Sequence, residues 1–221
     1  MNVFLKVKEI VIKLTSFYRN KKLNNKDFTI ISNNCWAGDV YRYYGLPYNT
    51  PTVGLYFFAE DYIKFIYNLY YYLSKDIDFI SHEKSKYKDI LKQRHQENVI
   101  IGKIEDIEII FLHYKTIDEA AAKWKRRVER VNFDNIIIKF SNQNFCLSEH
   151  KKIFDELPVS KKIFFDNQKN DISCSVYIPG YDDEEWLKDD IRTYRKYMNI
   201  TDFINSKKSS YCVNSKTADN A

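Results

Sequence analysis

The apolar positions of this chain change period repeatedly along its length, and each change predicts an element. In the first 19 residues Phe4, Val7, Ile10, Val11, Leu14 and either Phe17 or Tyr18 recur at helical spacing with lysines between them. That is an amphipathic basic helix, whose apolar stripe either docks on the protein's own core or lies on an anionic membrane surface. From Asp27 onward, strand-like and helix-like segments alternate. A β-branched run at 27–32 is followed by a helix from Trp36 to Tyr44, ended by Gly45. A turn at 47–51 leads to a strand at 53–58. A helix over 60–74 then carries Tyr62, Phe65, Ile66, Leu69 and Leu73 on one stripe.

Residues 77–96 read as a surface loop with a short helix near 87–92, and 99–113 as a β-hairpin turning at Glu105-Asp106. Thr116 and Glu119 have the spacing of a capping box, so a helix starts there with Ile117, Ala120, Ala121, Trp124, Val128 and Val131 inward. Lys123, Arg126, Arg127 and Arg130 fall off that stripe as a solvated face. A strand at 135–140, a helix at 148–156 and strands at 161–165 and 173–178 continue the alternation. The acidic turn Asp183-Glu184-Glu185 predicts a last helix over 183–198.

The expected fold class is therefore α/β, a layered α/β/α arrangement with a mostly parallel central sheet plus a β-hairpin, preceded by the amphipathic helix. The expected organisation is a basic helix at 1–26, a single α/β domain at 27–205 and a disordered tail at 206–221, where Ser, Lys, Asn and Thr dominate.

Charge narrows the partners. The net charge is +5, but residues 1–26 hold seven positive side chains against Glu9 alone, which leaves the rest of the chain at −1. A near-neutral body argues against nucleic acid. Cys35, Cys146, Cys174 and Cys212 are too far apart in sequence for zinc-type pairs, and no secretory pattern opens the chain, so a reducing cytoplasmic location is expected, at the inner face of the membrane if the first 20 residues adsorb there. No uncharged apolar run approaches the length of a membrane span. Neither does the sequence specify an oligomeric state.

In open α/β sheets ligands bind beyond the carboxyl ends of the strands. The corners there are Ser32-Asn33-Asn34-Cys35, Glu60-Asp61, His113-Tyr114, Ser141-Asn142-Gln143 and Asp166-Asn167. One carries a thiol and another an imidazole. Asn33 or Asn34 capping the helix at Trp36 places Cys35 beside a helix N-terminus, where a thiol ionises more readily and phosphate or carboxylate groups bind. Cys35 is thus a nucleophile or a wall of an anion site, and His113 the best candidate base. Ser32, Asn33, Asn34, Glu60, Asp61 and Asp166 are the candidate ligand-binding residues. Asp76-Ile77-Asp78 has the acidic spacing that sugar-nucleotide glycosyltransferases use for a divalent metal, although short acidic triplets also arise by chance in charged loops. No dinucleotide fingerprint, phosphate loop or Gly-x-Ser-x-Gly elbow occurs, which leaves the cofactor open.

The stretches "ISNNCWAGDVYRYYGLPYNTPTVGLYFFAEDYIKFIYNLYYYL", "HYKTIDEAAAKWKRRVERVNFDN" and "FDELPVSKKIFF" resemble the bacterial domain of unknown function 1919, often labelled exopolysaccharide biosynthesis protein. The resemblance covers about residues 27–200 and leaves the basic helix and the tail outside. It implies an α/β protein encoded with capsule or other surface-polysaccharide machinery. The matching polar residues are Ser32, Asn33, Asn34, Cys35, Glu60, Asp61, His113, Trp124 and Arg127. The expected function is a transferase of capsule or exopolysaccharide synthesis, moving an acyl or related group from an activated small-molecule donor to a sugar. The alternatives are a metal-dependent sugar-nucleotide glycosyltransferase using Asp76 and Asp78, and a non-enzymatic glycan-binding or membrane-peripheral subunit.

Overall fold

A computed structural model describes residues 15–206 of the chain. A short helix at 15–21 precedes β1 (Thr29–Ser32), α1 (Trp36–Tyr44), β2 (Leu55–Tyr56), α2 (Ala59–Tyr67), α3 (Leu69–Leu73), β3 (Asp78–Ile80) and α4 (Lys88–Gln93). The hairpin β4 (Ile100–Ile104) and β5 (Ile107–Phe111) follows, then α5 (Ile117–Val128), β6 (Ile136–Ser141), α6 (Ser148–Glu156), β7 (Lys161–Asp166), β8 (Ser175–Tyr177) and α7 (Ile200–Asn205).

The strands form two sheets. One is wholly parallel in the order β1-β6-β7-β8, and the other antiparallel in the order β2-β5-β4-β3. Strands buried on both faces read as continuous apolar runs because alternate side chains enter different cores. In β1, Ile30 packs with α1 and α7, whereas Ile31 packs with α2 and α5. Ile137 and Ile138 of β6, and Ile163 and Phe164 of β7, divide in the same way. The parallel sheet is therefore covered on both sides. One face of the antiparallel sheet, with Ile107, Ile109 and Phe111, joins the α2/α5 core, while Ile101 and Ile110 on its other face pack against Leu91 of α4. The two sheets meet at the ends of β1 and β2, where the Phe57 N–H donates to the Asn33 carbonyl at 3.0 Å.

Helix α1 forms as its pattern predicts. Trp36, Val40, Tyr41 and Tyr44 are buried, each contributing roughly 1.5–3 kcal/mol relative to exposure. It ends at Gly45 with φ 64°, where Leu46 N–H donates to the Tyr41 carbonyl at 2.9 Å. That left-handed stop suits glycine, which has no Cβ to clash. At α5 the Thr116 hydroxyl accepts from Glu119 N–H at 3.1 Å, as the capping box requires.

Four local expectations need correction. The second strand shrinks to Leu55–Tyr56 and joins the antiparallel sheet. The 60–74 helix is broken at Asn68 into α2 and α3. The expected 77–96 loop contains a strand, β3, which pairs with β4. Most consequentially, 183–198 is irregular apart from a 3-10 turn at Tyr194–Lys196, and the last helix is instead α7 at Ile200–Asn205, beyond the predicted end. The reason lies in where this segment's backbone groups bond. The Leu187 N–H donates to the Asn142 carbonyl at 2.8 Å, and the Gln143 side chain donates to the Leu187 carbonyl at 2.7 Å. Asn167 donates to the carbonyls of Tyr181 and Glu184 at 2.9 and 2.6 Å. Partners on distant strand corners replace the helical ladder.

Of the basic N-terminal helix, residues 1–14 lie outside the described residues. Phe17 and Tyr18, offered as the end of its apolar stripe, are 57% and 68% exposed. No helix among the described residues is long and apolar enough to cross a membrane. Residues 207–221 of the expected tail also lie outside.

Candidate functional site

The site is built where β1 and β6 end side by side, with Ser32 in register with Lys139. After Ser32 the chain turns into α1 within three residues, and the turn is held by its own side chains. The Ser32 hydroxyl donates to the Asn34 carbonyl at 2.6 Å and accepts from Ala37 N–H at 3.2 Å. Asn34 Oδ1 accepts from Trp36 N–H at 3.1 Å, so Asn34 closes the turn onto the first residue of α1, whose N-cap position is Cys35 and carries no side-chain cap. Cys35 is the residue immediately before the helix.

Beneath this corner lies a buried polar cluster. Lys139 Nζ donates to Asn33 Oδ1 at 3.2 Å and Asn34 Oδ1 at 2.9 Å and forms an ion pair with Asp190. Asn34 Nδ2 donates to both Asp190 oxygens at 3.0 Å, and the Ser141 hydroxyl also donates to Asp190. Burial alone would raise the Asp190 carboxyl, but the Lys139 charge and these donors outweigh it and hold the group below its ordinary range. Asp190 thereby pins the irregular 183–192 stretch to the strand ends.

Cys35 stands above the cluster, half-buried, with its thiol directed at the Leu55 carbonyl 3.7 Å away. Burial pushes the thiol above its ordinary pKa, and contact with the Gly54 backbone does not offset that rise. The expectation of an easily ionised thiol is thus overturned, because β2 and the stretch before it cover the sulfur and remove the water that would stabilise a thiolate.

Two cavities open on either side of Cys35. The larger, about 640 Å³, is lined by Cys35, Tyr48, Gly54, His113, Tyr114 and Arg127, with Lys188, Asp189 and Arg192 from the pinned stretch at its edge. The smaller, about 520 Å³, is lined by Asn34, Cys35, Tyr56, Arg94, Gln143, Asn144 and Trp186. Cys35 and His113 therefore face one cavity. Gly54 makes this possible: it has φ +74°, and a Cβ there would lie 3.3 Å from both His113 Cβ and Tyr114 Cε2.

Arg127 is a second correction. It is not on a solvated face but 6% exposed. Its Nη1 donates to the Tyr114 hydroxyl at 2.6 Å and the Val53 carbonyl at 3.4 Å, and the guanidinium lies 5.2 Å from the Tyr48 ring centre.

The remaining candidates divide. Asn34 reaches the smaller cavity, while Ser32 and Asn33 are buried supports of the corner. Glu60 is exposed and paired with Lys64 at 3.0 Å. Asp61 is buried against Lys86 at 2.5 Å and Glu108 N–H at 2.9 Å, which ties α2 to β5. Asp166 binds Lys151, Asn142 and Asn170, each at 2.8 Å, and staples the corners after β6 and β7 to α6. Glu60, Asp61 and Asp166 line neither cavity. Asp76 and Asp78 are exposed around the start of β3, and among the described residues no group of three or more His, Cys, Asp or Glu is placed to hold a metal. Lys139 and Asp190 were missed. A lysine inside the run "NIIIKF" is the signal that would have found the pair, since a lysine buried in a parallel strand requires a counter-charge.

Comparison with known proteins adds lineage. A Haemophilus influenzae protein, named only as an uncharacterized protein, is 30% identical over 194 residues, covering 86% of this chain and 88% of the relative. The family described as "Domain of unknown function (DUF1919)" matches residues 6–209. The match takes in most of the basic N-terminal segment and the start of the tail, which the resemblance had left outside. This match across nearly the whole length makes the chain a member of the DUF1919 family.

Proposed function

We propose that this protein is a group transferase of bacterial surface-polysaccharide assembly, moving an acyl or related group from an activated donor to a sugar hydroxyl. The observation that carries the reading is the position of Cys35 on the shared wall of two cavities, with His113 on one of them. Two substrates that must exchange a group need adjoining spaces with a common boundary. The larger, cation-rich space suits the donor. The smaller one offers Trp186, Tyr56 and the amides of Asn34, Gln143 and Asn144, a combination of flat rings and hydrogen-bonding groups that suits a sugar.

His113 acts as the proton carrier. As the acceptor oxygen bonds to the acyl carbon, its proton passes to the imidazole and then to the departing donor group as the old bond breaks. The neutral thiol of Cys35 serves as the floor on which donor and acceptor meet. The resemblance to proteins labelled for exopolysaccharide synthesis supplies the biological setting.

The test replaces Cys35 by Ser and His113 by Ala in the producing cell and profiles the surface polysaccharide. Loss of a substituent in His113→Ala supports the reading. An unchanged product from both variants refutes it. Thermal-shift screening of the purified chain against acyl-coenzyme A and sugar nucleotides then sorts the donor class, because a ligand at a hundredfold its Kd adds about 2.7 kcal/mol.

A further inference from the structure

We infer that the larger cavity is a phosphoryl-binding site in which the Arg127 guanidinium takes a phosphate or diphosphate group of the donor. This rests on reading that cavity as the donor's place. Six cationic side chains line it, Arg42, Lys123, Arg127, Lys188, Arg192 and Arg195, against two carboxylates, Asp39 and Asp189.

Their partners separate one of the six from the rest. Arg42 and Arg195 share Asp39, Lys123 pairs with Glu119, Lys188 with Glu184 and Arg192 with Asp189. Arg127 has no carboxylate within 4.0 Å among the described residues, yet it is 94% buried. A guanidinium stays charged at any physiological pH, so burial without a counter-ion is costly unless an anion arrives from outside. The Tyr114 hydroxyl does not supply that anion. It donates to the Val53 carbonyl and accepts from Arg127 Nη1, and so remains a neutral phenol between them.

The bonds to Tyr114 and Val53 use one nitrogen only, Nη1. The Nε–Nη2 edge keeps its donors for a ligand, and that edge is the fork that matches two oxygens of a phosphate. Tyr48 makes a cation–π contact with the same guanidinium. With Glu119 and Glu184 counted beside Asp39 and Asp189, the six cations keep a surplus of two positive charges, which favours a doubly charged group over a single carboxylate. Acyl-coenzyme A and sugar nucleotides both carry a diphosphate, so the site serves either donor class.

The test uses the full chain with inorganic phosphate, pyrophosphate and acetate at matched ionic strength. Pyrophosphate at a hundredfold its Kd is expected to raise Tm by roughly 5–11 °C and to slow alkylation of Cys35, read by peptide mass spectrometry. Acetate, a single carboxylate, should do neither. Arg127→Met should weaken pyrophosphate binding at least tenfold, with Arg127→Lys between it and wild type because the fork is lost but the charge kept. The inference is overturned if phosphate and pyrophosphate leave the wild type unchanged, if acetate matches pyrophosphate, or if the Arg127 variants bind as wild type does. Should Arg127→Met not fold, the wild-type protection of Cys35 and the Arg127→Lys affinity decide. Binding requires no turnover, so the two ideas fail separately. Pyrophosphate held through Arg127 alongside unchanged polysaccharide in the Cys35 and His113 variants removes the transferase reading only. An altered polysaccharide with no pyrophosphate binding removes the phosphoryl site only.

Discussion

Replacing Asp190 by Asn should reveal how strongly the irregular stretch is tied to the sheet. Asp190 is 1% exposed and accepts hydrogen bonds from Lys139, Ser141 and Asn34, while Lys139 is fully buried. The amide leaves the Lys139 charge unpaired and sets an NH2 donor against groups that donate to Asp190, and removing one partner of a buried pair costs about 3–5 kcal/mol. For a chain of this length that corresponds to a fall in Tm of roughly 6–20 °C. Calorimetry at neutral pH reads it. Hydrogen exchange should show residues 183–192 losing protection first, since their anchor is gone. The double variant Lys139→Met/Asp190→Leu removes both charges and should recover most of the loss. The pH dependence has a definite sign. The folded carboxyl lies below its unfolded value, so its contribution is complete above roughly pH 4 and is lost as pH falls through the folded pKa. The gap between wild type and Asp190→Asn should therefore narrow in acid. A single variant melting within about 2 °C of wild type at neutral pH, or a double variant no more stable than the single, would show that Asp190 does not anchor the stretch through the Lys139 charge.

Alkylation of Cys35 against pH should titrate above the value of a free thiol, about 8.5, because burial raises it. A midpoint below that value would restore the activated nucleophile. Gly54→Ala should lower Tm by roughly 2–8 °C, since alanine at φ +74° pays about 1–2 kcal/mol and its Cβ presses on His113 and Tyr114. An unchanged Tm would show that the loop relaxes freely.

What was legible in the sequence was local. Helix α1 with its stop at Gly45, the β4–β5 hairpin and the cap at Thr116 depend on residues within a few positions of each other, and all three form as read. The 183–198 stretch was misread for the complementary reason. An acidic turn looks like a helix start, but the groups that bind this backbone come from Asn142, Gln143 and Asn167. Cys35 follows the same rule. Its position before a helix was readable, whereas the cover from Gly54 and Leu55, which reverses the expected direction of its pKa, depends on the second sheet. Arg127 lies three residues beyond the buried Trp124, one helical step along the inward stripe, and that spacing is the signal the solvated-face reading overlooked.

A crystal structure of the full chain with pyrophosphate bound would locate the anion outright. Density is expected within hydrogen-bond distance of Arg127, in the cavity that Cys35 and His113 share. An ion held instead at Lys151 beside Asp166, or at the exposed lysines, with that cavity empty, would contradict that placement.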